Sequence, residues 1–556
     1  MSQTTVYSAR RIVTMNPAQP EATHVAVRDG RVLAVGDLER MRSWGRFDLD
    51  ERFADKVLLP GFVEGHCHLK EGAMWDWSYL GWFDRRDPQG TVWSGLRSME
   101  AVVARLIEVD AKMTAAGQAL DVPLIAWGFD PIYFGGERMT VRHLDNVGAG
   151  KRPIVIAHAN GHLMNVNSAT LQLAGITAQT EVEGVMKFEQ GAMQGQPTGE
   201  LQEPAAMYLV LRHVGNAGLL SPMTDTGMRA FAAIACMQGV TTATDLVNKL
   251  GEQELAMLER HCNDDAFSVR LLPAFQAFHG THGASAGAEH VQSLKSRSTD
   301  KLRFGLVKMM LDGSIQGFSA RLRWPGYFNG APNGIWVTAP QQYEADFETY
   351  HRAGLTIHTH TNGDEASQVA IEAIERVLAR APRPGHRHTL QHGQMMDRAM
   401  FRRMALLGLS ANLFSNHIWY WGDQHHDITM GPDRAHRLDA CRSALDAGVP
   451  LAIHSDAPVT PLSPLFSAWC AVNRVTPSNR VLGAAECLTI DEALHAITLG
   501  AAWTLGLDHE IGSIECGKRA DFAVLEDDPR HVAPMALKDV RVWGTVLSGR
   551  VFAAAP

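Results

Sequence analysis

No stretch of this 556-residue chain stays apolar for the roughly 18 residues needed to span a bilayer. Its opening, Met1–Arg11, lacks the apolar core of a signal peptide. Cysteine is scarce: seven residues, at 67, 236, 262, 441, 470, 487 and 516, with no Cys-x-x-Cys among them. An odd, scattered set points to reduced thiols in a cytoplasm rather than to a disulfide framework. Basic charge is not in excess either. The 51 Lys and Arg are outnumbered by 60 Asp and Glu, for a net charge of −9 and a pI near 6.3. Neither nucleic acid nor a membrane is therefore expected as a partner. There is no internal repeat and no low-complexity tract. What remains is the composition of a globular enzyme, 46% hydrophobic and 20% charged, long enough for two or three domains. A small molecule is the expected partner, and a homodimer is left open.

Histidine, by contrast, is plentiful. With 25 in the chain, roughly one His-x-His is expected by chance, yet the spacing occurs at His66/His68, His358/His360 and His386/His388. The first has a telling context, Leu59-Pro60-Gly61-Phe62-Val63-Glu64-Gly65-His66-Cys67-His68. This reads as a buried strand ending in two histidines. Side chains alternate along a strand, so His66 and His68 share a face and can hold one metal ion, while Cys67 points the other way as a packing residue.

Short alternating runs open the chain, with Asp29-Gly30 between two of them as a hairpin signal. Similar runs close it (Phe522–Leu525, Val540–Trp543, Gly549–Phe552). One small β domain built from residues 1–56 and 507–556 is expected. The middle alternates apolar strands with helical segments, which argues for βαβ units. Eight candidate strands fall at 57–66, 239–247, 268–276, 303–311, 354–360, 387–393, 408–414 and 449–455. They fit an α/β fold, a (β/α)8 TIM-type barrel over 57–506 with active-site residues at the C-terminal strand ends. The gap after the first strand is far longer than a crossover helix, so residues 70–230 should form an inserted subdomain. Trp75, Trp77, Trp82 and Trp127 lie in it. Thr489-Ile490-Asp491-Glu492 reads as a capping box opening a helix that runs to about Leu499.

Polar residues end the other strands. Lys308 sits inside the apolar run Leu306–Leu311, where a lysine is costly unless paired or chemically modified. Strand five gives His358-Thr359-His360-Thr361-Asn362-Gly363-Asp364. Strand six gives Gln391-His392-Gly393-Gln394, and strand eight ends His454-Ser455-Asp456-Ala457-Pro458. Pro-Gly before His66-x-His68, His-x-x-Gly-Asp at His360, His392 and Asp456 in this order resemble the amidohydrolase superfamily of metal-dependent hydrolases. Within it the chain resembles the branch that includes N-substituted formamide deformylases, with a small β-sandwich made by both termini. The Gly512–Phe522 segment is also similar to that family's C-terminus.

The resemblance implies a metal-ligand set of His66, His68, Lys308, His360, His392 and Asp456. It also implies two divalent ions, zinc, bridged by a carboxylated Lys308. His358 then becomes a supporting or core histidine, and His386 and His388 are exposed or structural. Asp456 acts as general base on metal-activated water. His162, in an Asn-Gly-His segment, and His417, just after strand seven, are candidate donors to the oxyanion. Trp421, with Trp419 and Tyr420, suits an apolar or aromatic amide. The function implied is hydrolysis of a non-peptide carbon–nitrogen bond. A one-metal deaminase or cyclic-amidine hydrolase would place a Glu three residues after His360, where Gly363 stands. A non-catalytic regulatory protein would be expected to have lost some of the six ligand positions, and all are present.

Overall fold

The computed structural model describes residues 3–214, 223–277 and 283–554. Residues 215–222 of the expected insertion, and the first two and last two residues of the expected terminal domain, lie outside them. The chain divides into two compact units, residues 1–69 with 229–556, and residues 70–228.

In the first unit eight strands lie parallel in chain order: Phe62–Glu64, Val240–Asn248, Arg270–Gln276, Leu306–Met310, Thr356–Thr361, Thr389–His392, Ser410–Leu413 and Leu451–Ile453. The sheet curls as a TIM-type barrel requires. Just past their C-terminal ends, its two edge strands are tied together. There the Asp456 N–H donates to His66 O (3.1 Å) and the His68 N–H to Ala457 O (2.7 Å). Parallel strands are covered on both faces, and Val240–Asn248 is buried at every position but Val247. Among the covering helices, Asp364–Arg380 buries Ala366, Ala370, Ile371, Ile374 and Val377 along one stripe. Its first turn carries Asp364 and Glu365, which suit the positive end of the helix.

Inside the barrel Val63, Leu246, Leu272, Leu306 and Ala452 pack with Leu505 and Leu507. Buried beside this apolar layer are Lys308, His358, Gln391 and Asn412. Lys308 is in register with His358, and Gln391 with Asn412. Branched apolar residues normally fill a barrel of this kind, so this buried polar layer departs from the usual filling.

All eight expected strands are present, but the first differs in extent. Residues 57–60 end the strand Asp48–Pro60, which pairs with Phe522–Leu525 in another sheet, and only Phe62–Glu64 joins the barrel. Pro60 has no N–H to continue a ladder, and the chain changes sheet there. The helix expected to reach Leu499 has its capping box at Thr489 and Glu492 but ends at Ala496; a second helix covers Leu499–Thr504.

Strands from both ends of the chain share a seven-stranded sheet, in the order Arg550–Ala553, Val542–Leu547, Phe522–Leu525, Asp48–Pro60, Thr5–Val13, Glu21–Arg28, Arg31–Gly36. Asp29 and Gly30 both adopt positive φ (53° and 72°), as a two-residue hairpin turn demands. Tyr7 packs on Phe53 and Phe522 at ring separations of 5.5 and 6.5 Å.

The second unit holds a six-stranded sheet, in the order Val185–Lys187, Pro197–Gln202, Leu163–Val166, Ile154–His158, Leu124–Phe129, Ser78–Tyr79. Its tryptophans pack internally. Trp127 lies 5.2 Å from Trp75 and 5.0 Å from Tyr79, and Trp82 stacks on Tyr133 at 5.4 Å. Among the described residues no helix is long and apolar enough to cross a membrane, and no disulfide joins any of the seven cysteines. Cys67 is buried and its thiol donates to Thr244 O at 2.9 Å, the packing role expected of it.

Candidate metal centre

Strand one delivers His66 and His68, and strand eight delivers Asp456. The Oδ1 of Asp456 lies 3.1 Å from His66 Nε2 and 3.2 Å from His68 Nε2. None of these approaches has hydrogen-bond geometry, since that oxygen is buried without a partner. Two ring nitrogens and a carboxylate oxygen therefore converge without satisfying one another. His392 adds its Nδ1, also unpartnered, 3.7 Å from the other carboxylate oxygen of Asp456. His392 and Asp456 both adopt left-handed backbone, with φ of 65° and 53°. Non-glycine residues are strained there, and such strain gathers at functional sites.

Glu64 ties the two strands together. Its buried carboxyl accepts from the Ser455 N–H (3.2 Å), the Ser455 hydroxyl (2.8 Å) and the His66 N–H (3.3 Å). Burial pushes that carboxyl up to about 8 against these hydrogen bonds. Between Glu64 and His66 only glycine fits easily, because a Cβ at Gly65 would sit 3.0 Å from Asn412 Nδ2.

The charge states suit a cation. Burial, then the Lys308 charge, lowers the His66 ring to about 4. Burial and neighbouring rings hold His392 well below the ordinary imidazole value. For Asp456 burial acts upward, but His66, His68 and His392 outweigh it and hold the carboxyl well below its usual range. Neutral imidazoles around an ionised carboxylate are a donor set that zinc takes. A ligating cation would also satisfy buried atoms that each cost about 1–3 kcal/mol when left unpaired. The residues present fit the metal.

The remaining expected residues divide. Lys308 is 3% exposed, and its Nζ has no hydrogen-bond partner. Burial lowers its amine to about 7, with Asp456 opposing the shift. His360 packs against His392 at 4.5 Å, but its Nε2 lies 3.2 Å from Gly313 O, and it belongs to neither close group of donor atoms. At Gly363, a Cβ would run into the Arg321 carbonyl, which leaves no room there for the Glu of a deaminase. His358 is fully buried and hydrogen-bonded at both nitrogens. His386 and His388 are structural and buried rather than exposed. His417 opens the helix His417–Gln424; its Nδ1 lies 3.2 Å from Asp439 Oδ1, and its ring lies 4.3 Å from Phe414 and 5.7 Å from the buried Trp421. Phe414 in turn stacks on His454. His162 belongs to the second unit, where its Nδ1 lies 3.0 Å from Glu203 Oε2.

Sequence reasoning missed His454. It stacks on His66 (4.5 Å, 13°), both its nitrogens are buried without partners, and it forms a second close group with His66 and His392. The signal was its place two residues before Asp456. Gln391 and Glu64 stood in the strand motifs with no role assigned to them.

The amidohydrolase family model matches residues 54–553. The chain is 25% identical over 532 residues to the protein LONG AFTER FAR-RED 3 of Arabidopsis thaliana, covering 92% of this chain and 85% of that one. It is 26% identical over 553 residues to the N-substituted formamide deformylase of Arthrobacter pascens, covering 95% and 94%. A crystal structure of an uncharacterized metal-dependent hydrolase from Pyrococcus horikoshii superposes with a TM-score of 0.70 over 96% of this chain and 99% of that one, at 20% identity.

Proposed function

The chain belongs to the amidohydrolase family, as a metal-dependent enzyme acting on carbon–nitrogen bonds, and from that premise we propose that it hydrolyses a non-peptide amide or N-substituted formamide. The observation that carries this reading is the unsatisfied Oδ1 of Asp456, 3.1 and 3.2 Å from the ring nitrogens of His66 and His68. His66, His68, His360, His392, Asp456 and a carboxylated Lys308 hold two zinc ions. Carboxylation joins the neutral lysine amine to carbon dioxide with loss of one proton, and the resulting carbamate offers two oxygens. The buried, unpartnered Nζ of Lys308 supports it. Bound zinc supplies Lewis acidity, which lowers the pKa of water and polarises a carbonyl.

Asp456 takes a proton from the attacking water and passes it to the leaving nitrogen. His417 donates to the oxyanion. The Asp439 carboxylate lies 3.2 Å from His417 Nδ1. Trp421 and its neighbours give the pocket an apolar wall suited to an aromatic or aliphatic amide. In domain terms the barrel spans 57–506 with an inserted subdomain at 70–230. Residues 1–56 and 507–556 form a small β-sandwich domain, and the cytoplasm is the proposed location.

The test is zinc analysis combined with a panel of amides and N-substituted formamides, on wild type and Lys308→Ala. Two zinc ions and amide cleavage are expected in the wild type. The variant should lose zinc and activity, with partial rescue by short carboxylic acids. Cleavage that survives exhaustive chelation would sink the reading, and a single ion beside an unmodified Lys308 would remove the bridge.

A further inference from the structure

His66 can offer a cation either ring nitrogen, and the barrel interior decides which. The Thr504 carbonyl can only accept. It lies 3.0 Å from His358 Nε2, so that nitrogen carries the proton of the ring. The other nitrogen, Nδ1, must then accept, and it lies 2.9 Å from Gln391 Nε2. This fixes the orientation of the Gln391 amide, which electron density alone seldom reveals. Its Oε1 consequently faces the opposite side, where it meets two groups, Asn412 Nδ2 at 2.9 Å and His66 Nδ1 at 2.8 Å. An amide oxygen has two lone pairs, and these two donors fill both. His66 Nδ1 therefore carries a proton, and Nε2, facing Asp456, presents its lone pair.

Every residue in this chain of bonds is buried, and they come from strands one, five, six and seven and the helix Leu499–Thr504. His66 also belongs to two close donor groups, one with His68 and Asp456 and one with His392 and His454. With Nδ1 occupied, its single remaining nitrogen can serve only one ion.

We infer that Gln391 is a positioning residue that presents His66 to the metal through Nε2 alone, by accepting the proton on Nδ1. This rests on the reading of His66 as a metal ligand. A partner on the second nitrogen fixes ring orientation and raises ligand basicity, and losing it typically weakens metal binding ten- to a hundredfold.

The experiment is a zinc competition titration against a chromophoric chelator, on full-length wild type, Gln391→Met, Gln391→Glu and His66→Asn. Methionine fills the space without an amide oxygen, and Gln391→Met should weaken zinc about ten- to a hundredfold. Gln391→Glu should match the wild type. A carboxyl oxygen keeps the acceptor facing His66 Nδ1. Equal losses in both variants, or wild-type affinity in Gln391→Met, overturn the inference. His66→Asn separates the two levels. Undiminished zinc in that variant sinks the metal-centre reading itself, whereas weakened zinc there beside an unaffected Gln391→Met sinks only the role of Gln391. If Gln391→Met does not fold, nitrogen-15 NMR of histidine-labelled, metal-free wild type decides the matter. The ring signals that vanish in His66→Asn should show a protonated Nδ1 and a bare Nε2, and a proton on Nε2 overturns the assignment.

Discussion

Two clusters of buried histidine stand at opposite ends of the same barrel strands. At the N-terminal ends, every ring nitrogen of His351, His386 and His388 is hydrogen-bonded. His351 Nε2 lies 2.7 Å from Ala381 O and its Nδ1 2.8 Å from His388 Nε2. The Ile357 N–H donates to His388 Nδ1, the His388 N–H donates to His386 Nδ1, and His386 Nε2 reaches Leu407 O. At the C-terminal ends, His392 Nδ1, both nitrogens of His454 and Asp456 Oδ1 are buried without partners. The residue type and the His-x-His spacing are the same at both ends. What differs is whether the protein satisfies its own donors and acceptors. A satisfied cluster is structure, and an unsatisfied one beside an ionised carboxylate is a place for an ion.

Function should separate the clusters most strongly. Asp456→Asn cannot accept a proton, so kcat should fall about a hundred- to ten-thousandfold with zinc content retained. His386→Gln should leave kcat unchanged once folded. Steady-state kinetics with metal analysis checks both, and normal turnover in Asp456→Asn would put the base elsewhere.

A property the clusters share gives the next effect. Both are held neutral by burial, and the His66 ring falls from 6.5 to about 4. Because the unfolded chain takes the proton first, the contribution of His66 to stability is full above pH 6.5 and is lost as pH falls toward 4. The total is about 3 kcal/mol. Urea melts of metal-free wild type and His66→Phe should show the wild type losing about that much more over this range. Parallel curves would mean that His66 titrates as an ordinary histidine.

The last effect has opposite signs at the two ends. His388→Phe strands the Ile357 N–H and a nitrogen of His351, and should destabilise by about 3 kcal/mol. His454→Phe deletes two unpaired nitrogens while keeping a ring to stack on His66 and Phe414. It should stabilise the metal-free protein by about 1 kcal/mol. Two melting curves decide this, and a shared sign would erase the distinction drawn between the clusters.

Local pattern alone made the eight strands, the Asp29-Gly30 turn and the capping box at Thr489 legible, because each depends on neighbours in sequence. The order of His66, His68, His360, His392 and Asp456 at strand ends was legible too, since parallel strands put their C-terminal ends on one face. The sheet change at Pro60 was not. The run from Val57 to Val63 is continuously apolar, and only its partners, Phe522–Leu525 for one part and Val240–Asn248 for the other, divide it. Nor could sequence tell His66 from His386, expose His454, or show that Gln391 faces His66 with its oxygen. Those depend on which donors and acceptors meet across strands far apart in the chain, and a buried polar atom finds its partner, or lacks one, only once the barrel has closed.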